Sequence, residues 1–170
     1  MSGRALLGAF VLGFAVIGGA GAGLNANWSD HLTGAQEVPA RDTKGQGQAI
    51  FHLSDDGQSI DYRLIATNID NVRQAHIHIG PAGDNGPIVV FLYGAVPAGG
   101  GRQTGVLATG SFTAANFIGP LTGQPFSALV AAMRSGNAYV NVHTDNGVAP
   151  PNEGPGDFPG GEIRAQIIEE

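Results

Sequence analysis

His76 and His78 stand one residue apart in Ala75-His76-Ile77-His78-Ile79, and His143 closes the segment Tyr139-Val140-Asn141-Val142-His143. Alternate residues of a β-strand point to the same face. An extended chain therefore presents His76 and His78 together and turns Ala75, Ile77 and Ile79 the other way. The same parity sets Val140 and Val142 against Tyr139, Asn141 and His143. All three imidazoles then leave the core on the polar side of their strands, and on neighbouring strands they converge on one ion. The chain has no cysteine, so a bound metal must be held by imidazole and oxygen donors. Three imidazoles suit copper first and zinc second. Imidazole binds metal only when neutral, and its ordinary pKa is about 6.5. Metal affinity is accordingly expected to fall steeply between about pH 7 and pH 5.

Other residues with possible chemistry are weaker candidates. Asp84 and Asp145 are each followed by Asn-Gly, so they suit either a carboxylate that fixes an imidazole tautomer or an ordinary turn. His31 and His52 read as polar strand residues. No serine lies in a nucleophile-elbow setting. Gly99-Gly100-Gly101 lacks the strand-to-helix context of a phosphate-binding loop.

The elements that must carry these side chains are short alternating runs bounded by Gly, Pro, Asn and Asp. They predict strands over 27–33, 47–53, 59–67, 72–79, 88–93, 105–112, 138–143 and 161–168. Asp55-Asp56-Gly57 is read as the hairpin turn between the second and third. The one helix expected is Pro125 to Arg134, with Phe126, Leu129, Val130 and Met133 at helical spacing and a stop at Ser135-Gly136. The fold class that follows is all-β, a Greek-key antiparallel sandwich with one short helix. Parity predicts that Ile77, Ile79, Val140, Val142, Ile163 and Ile167 are buried. Irregular loops follow both histidine strands, Gly80 to Pro87 and Thr144 to Gly161, and loops at such positions tend to be functional.

Composition narrows the setting. Met-Ser-Gly-Arg, an apolar run to about Ala20 and Ala20-Gly21-Ala22 have the order of a secretory signal peptide. Residues 1–22 are thus expected to be removed and 23–170 to form a single exported domain, secreted, periplasmic or at the cell surface. No later stretch is apolar enough to span a bilayer. With 14 acidic against 8 basic residues the chain is acidic, and it lacks the basic patch that nucleic acid would require.

Four segments carry a family resemblance. His31-Leu32-Thr33-Gly34-Ala35-Gln36-Glu37-Val38-Pro39, Ala75 to His78 with Gly86-Pro87-Ile88-Val89, Gly136 to Thr144, and Gly160-Gly161-Glu162-Ile163-Arg164 resemble, in order, the signatures of the chordin-type (CHRD) domain. The resemblance covers about Trp28 to Ile168. That family includes extracellular antagonists of bone morphogenetic proteins and many exported microbial proteins. It implies an immunoglobulin-like β-barrel similar to copper-zinc superoxide dismutases. His76-Ile77-His78 resembles the dismutase strand that supplies two copper ligands, and Val142-His143 the strand that supplies a third. Two features depart from that pattern. The loop from Gly80 to Pro87 has no histidine, so the bridging and zinc ligands are missing. Arg164, near the place of the substrate-guiding arginine, is expected on the outward face of a strand.

The leading functional expectation is a binding module that holds one copper or zinc ion through His76, His78 and His143. An extracellular adhesion or interaction module, with a protein or surface as partner and structural histidines, is the alternative. A dismutase-like enzyme is the lesser one.

Overall fold

The computed structural model describes residues 26–169; the expected signal peptide lies outside the described residues. Eight strands form: β1 (Asn27–Thr33), β2 (Gln46–Leu53), β3 (Ser59–Asp70), β4 (Val72–Ile79), β5 (Ile88–Gly94), β6 (Arg102–Thr113), β7 (Ala138–Thr144) and β8 (Ile163–Gln166). They belong to one antiparallel sheet in the order β5-β4-β7-β8-β1-β2-β3-β6. The sheet curls until its edge strands β5 and β6 approach each other, giving a nearly closed barrel. The Tyr62 hydroxyl of β3 reaches across that seam and donates to the Leu92 carbonyl of β5 at 2.6 Å.

Strand order follows the Greek-key expectation, because β3 pairs with β6 while β4 lies between β5 and β7. The chain passes from β3 to β4 through Asn71 alone, in a left-handed conformation with φ 54°. Asparagine tolerates that region better than most residues. Between β2 and β3 the turn is closed by the Gly57 N–H donating to the Ser54 carbonyl at 2.9 Å, with Gly57 at φ 67°.

Alternation explains the core. Trp28, Leu32, Phe51, Ile60, Leu64, Ile77, Val140, Val142, Ile163 and Ile167 are fully buried inside the barrel. Of the six positions expected there, Ile79 alone departs: it is half-buried at the end of β4, packed on the edge of the core. The last strand is also shorter than expected, because Gly161 and Glu162 belong to the preceding loop.

Helix α1 (Phe126–Arg134) buries Phe126, Leu129, Val130 and Met133 against the core. Pro125 caps it rather than beginning it, since proline lacks an N–H and suits a helix start. Phe117 stacks on Phe126 at 5.6 Å between centroids. At the other end Asn137 N–H donates to the Ala132 carbonyl at 2.8 Å, beyond Gly136 at φ 66°.

Candidate metal centre

Strands β4 and β7 are antiparallel neighbours, with Ile77 opposite Val140, His76 opposite Asn141, His78 opposite Tyr139 and Gln74 opposite His143. This register sends Ile77, Val140 and Val142 inward together. It places His76, His78, Asn141, Tyr139 and His143 on the outer face, as their parity requires.

That outer face is not exposed. His76 is 0%, His78 6% and His143 7% accessible. Two loops cover them. In the first, Gly80 N–H donates to the Asn137 carbonyl and Gly86 N–H to the Tyr139 hydroxyl, each at 3.0 Å. In the second, buried Glu162 is the anchor: its carboxylate accepts from Thr43 Oγ1 at 2.5 Å, Thr144 Oγ1 at 2.6 Å and Gly156 N–H at 2.8 Å. Phe91 of β5 packs edge-on against His76, at 4.4 Å between centroids.

These loops fix the rings. His78 Nδ1 lies 2.8 Å from the Gly86 carbonyl, and His143 Nδ1 lies 2.8 Å from the Pro159 carbonyl. A carbonyl only accepts, so each Nδ1 carries the proton in the neutral ring and each Nε2 keeps its lone pair. Nε2 of His143 is 3.1 Å from Nδ1 of His76. Nε2 of His76 and Nε2 of His78 are buried with no hydrogen-bond partner among the described residues. One ligand nitrogen from each ring falls within 4.8 Å of the others. His78, with a buried unpartnered Nε2 and its Nδ1–H on a backbone carbonyl, has the arrangement that metal-ligating histidines show.

Burial also sets the charge. Loss of water lowers the His76 pKa to about 3, with His143 and His78 adding repulsion. It lowers that of His143 to about 4, against the Pro159 carbonyl and with His78 reinforcing the shift. His78 is lowered for the same first reason, against the Gly86 carbonyl and Asn141. The imidazoles of His76 and His143 are therefore neutral well below pH 6.5, and that of His78 is shifted in the same direction. The steep loss of affinity expected between about pH 7 and pH 5 moves toward lower pH, because few protons remain to be displaced there.

The remaining sequence candidates lie apart from the cluster. Asp145 pairs with Arg73 at 3.3 Å and caps the turn through Gly147 N–H at 2.8 Å. Asp84 is exposed and meets Arg164 through its backbone carbonyl at 2.9 Å. Both have turn roles. His31 and His52 are exposed strand residues, His52 lying 2.6 Å from Asn27 Oδ1.

Arg164 keeps the outward parity expected of it, but it is 1% accessible rather than solvent-facing. Its guanidinium donates to the Asp84 carbonyl at 2.9 Å, the Pro81 carbonyl at 3.1 Å and Gln166 Oε1 at 3.2 Å. It thereby holds the loop from Gly80 to Pro87 onto β8.

Sequence reasoning missed Glu37 and Asn141. Glu37 follows a turn of 3-10 helix, Gly34–Gln36, and is buried beside β8. Desolvation raises its carboxyl to about 7, against the pull of Arg164 and Arg41 and of hydrogen bonds from Val38 and Asn141. Asn141 Oδ1 lies 3.0 Å from His143 Nε2. The signals were present: Asn141 shares the face of His143 by strand parity, and Glu37 sits in a loop otherwise rich in small and apolar residues.

Among the described residues no helix is long and apolar enough to cross a membrane. The family model of the CHRD domain matches residues 28–167. No curated protein and no solved structure matches the chain.

Proposed function

The chain belongs to the CHRD domain family, and we propose that it is an exported binding module which holds one transition-metal ion through His76, His78 and His143. The observation that supports this most is the pair of locked tautomers. Gly86 and Pro159 each occupy the Nδ1 side of an imidazole at 2.8 Å, so the Nε2 lone pairs of His78 and His143 turn into a shared buried space. Leaving a buried acceptor such as His78 Nε2 unpaired costs roughly 1–3 kcal/mol, and one cation would satisfy it together with His143 Nε2. Copper or zinc fits a donor set of imidazoles without sulfur. When bound, the ion would supply Lewis acidity or, for copper, a redox centre. The chain's own part is to orient the rings, keep them neutral and exclude water. Export is the reading of the N-terminal pattern of residues 1–22.

Metal analysis together with thermal unfolding tests this. A ligand that binds only the folded state raises its stability. Copper or zinc should raise the melting temperature of the protein and leave that of His78→Ala nearly unchanged. An equal response in both proteins, or none in either, would return the weight to an interaction module with structural histidines.

A further inference from the structure

His143 sits between two carbonyl oxygens. Its Nδ1 is 2.8 Å from the Pro159 carbonyl, and its Nε2 is 3.0 Å from Asn141 Oδ1. A neutral imidazole has one N–H and can donate to one of them only. Whichever nitrogen holds the proton, the other faces an oxygen that cannot donate.

The Asn141 amide has a reason to point this way. A Cβ built on Gly161 would lie 2.5 Å from Glu37 Oε1 and 2.8 Å from Asn141 Nδ2, so the amide nitrogen and the Glu37 carboxyl oxygen both border the space over that glycine. The Asn141 amide acts on the Glu37 carboxyl as a donor would, opposing the upward push of burial. An NH2 group turned toward a carboxyl leaves the amide oxygen turned toward the histidines. Asn141 is 3% accessible, so water from outside is not free to relieve the contact.

Asn141 Oδ1 and His76 Nδ1 lie 3.0 and 3.1 Å from His143 Nε2, and in the His76 tautomer with its proton on Nε2 all three atoms turn lone pairs toward one point. Two donors bound at about 2.0–2.1 Å to a tetrahedral ion are separated by about 3.3 Å. The observed spacings are within a few tenths of an ångström of that.

We propose that Asn141 supplies a fourth donor, its amide oxygen, to the ion held by His76, His78 and His143, and that Glu37 acts as the positioning residue for the amide. The inference rests on the metal-holding reading and deepens it. The site becomes a closed set of three nitrogens and one oxygen, built to retain an ion rather than to keep a coordination position open.

The test uses the purified protein with Zn2+ for affinity and Co2+ as the spectroscopic probe. The wild type should show the intense visible bands of four-coordinate Co2+. Asn141→Ala should bind Zn2+ about ten- to a hundredfold more weakly, with Co2+ bands that weaken as water replaces the amide. The near-isosteric Asn141→Asp should keep the four-coordinate intensity with shifted bands, and this variant decides the matter if the alanine protein does not fold. Unchanged bands in both variants overturn the proposal, even when Zn2+ affinity falls, because Asn141 then only positions a histidine. If affinity also stays at the wild-type level while His143→Ala loses the ion, the three-histidine reading stands without Asn141. A wild type that binds neither ion removes both.

Discussion

The guanidinium carbon of Arg164 lies 3.4 Å from the centroid of the Tyr139 ring, and that ring stacks on the His78 imidazole at 4.7 Å. The arrangement joins the loop from Gly80 to Pro87 to the histidine cluster. Arg164 holds the loop by the Pro81 and Asp84 carbonyls, and the loop in turn offers the Gly86 carbonyl to His78. Replacing Arg164 by alanine strands these acceptors and removes a cation–π contact. A loss of roughly 2–5 kcal/mol is expected. Hydrogen exchange should show the loop opening first, with the amides of residues 80–87 losing protection ahead of the barrel. Uniform loss across all strands would contradict this role.

Ile77 is fully buried between two histidines that face the other side of the same strand. Ile77→Ala should cost roughly 2–5 kcal/mol, as buried large-to-small changes do. Ile79→Ala should cost distinctly less, because Ile79 is only half-buried. Denaturant unfolding of the two proteins gives the comparison. Equal losses would mean that the barrel interior does not end where β4 does.

Gly161 is held at φ +122°, and a Cβ there would meet Glu37 Oε1 at 2.5 Å and Asn141 Nδ2 at 2.8 Å. Gly161→Ala combines backbone strain with a collision in a buried polar cluster. It should lower stability by about 2 kcal/mol or more and weaken metal binding, although it touches none of the three histidines. A variant with unchanged melting temperature would show that the loop yields without cost.

The pH dependence of the metal-free protein has two opposing parts. His76 and His143 are lowered to about 3 and about 4 in the fold, from about 6.5 when unfolded. Their contribution to stability is full above about pH 6.5 and is lost as pH falls toward those values. Glu37 is raised from 4.5 to about 7. Its contribution is full below 4.5 and lost as pH rises through about 7. Between pH 6.5 and 4.5 the histidines act in one direction and Glu37 in the other. The histidines prevail by number, so acid should destabilise the protein. Glu37→Gln removes the opposing part and should steepen the loss on acidification over that window. Unfolding curves at stepped pH measure it, and a shallower slope in the variant would reverse the assignment.

Sequence pattern revealed the barrel and the three ligand candidates because both depend on strand parity, which a period of two makes visible. It put His76, His78 and His143 on one face, and the β4–β7 register brought them together. Solvent was harder to read. The outward residues His76, Asn141 and Arg164 are buried because loops fold back over that face, and no periodicity reports where a loop will lie. The composition of its loop marked Glu37 as unusual, but its place beside Asn141 over Gly161 was not readable, because it depends on a contact over a long sequence separation. The pH response expected of the histidines shifted once that cover was known.

Calorimetric titration of the purified protein with Zn2+ or Cu2+ near pH 7 tests the metal-holding role most directly. One ion per chain is expected, with binding lost in His78→Ala and His143→Ala while both variants keep the β-sheet circular dichroism of the parent. Absence of stoichiometric binding, or binding that survives in both variants, would contradict it.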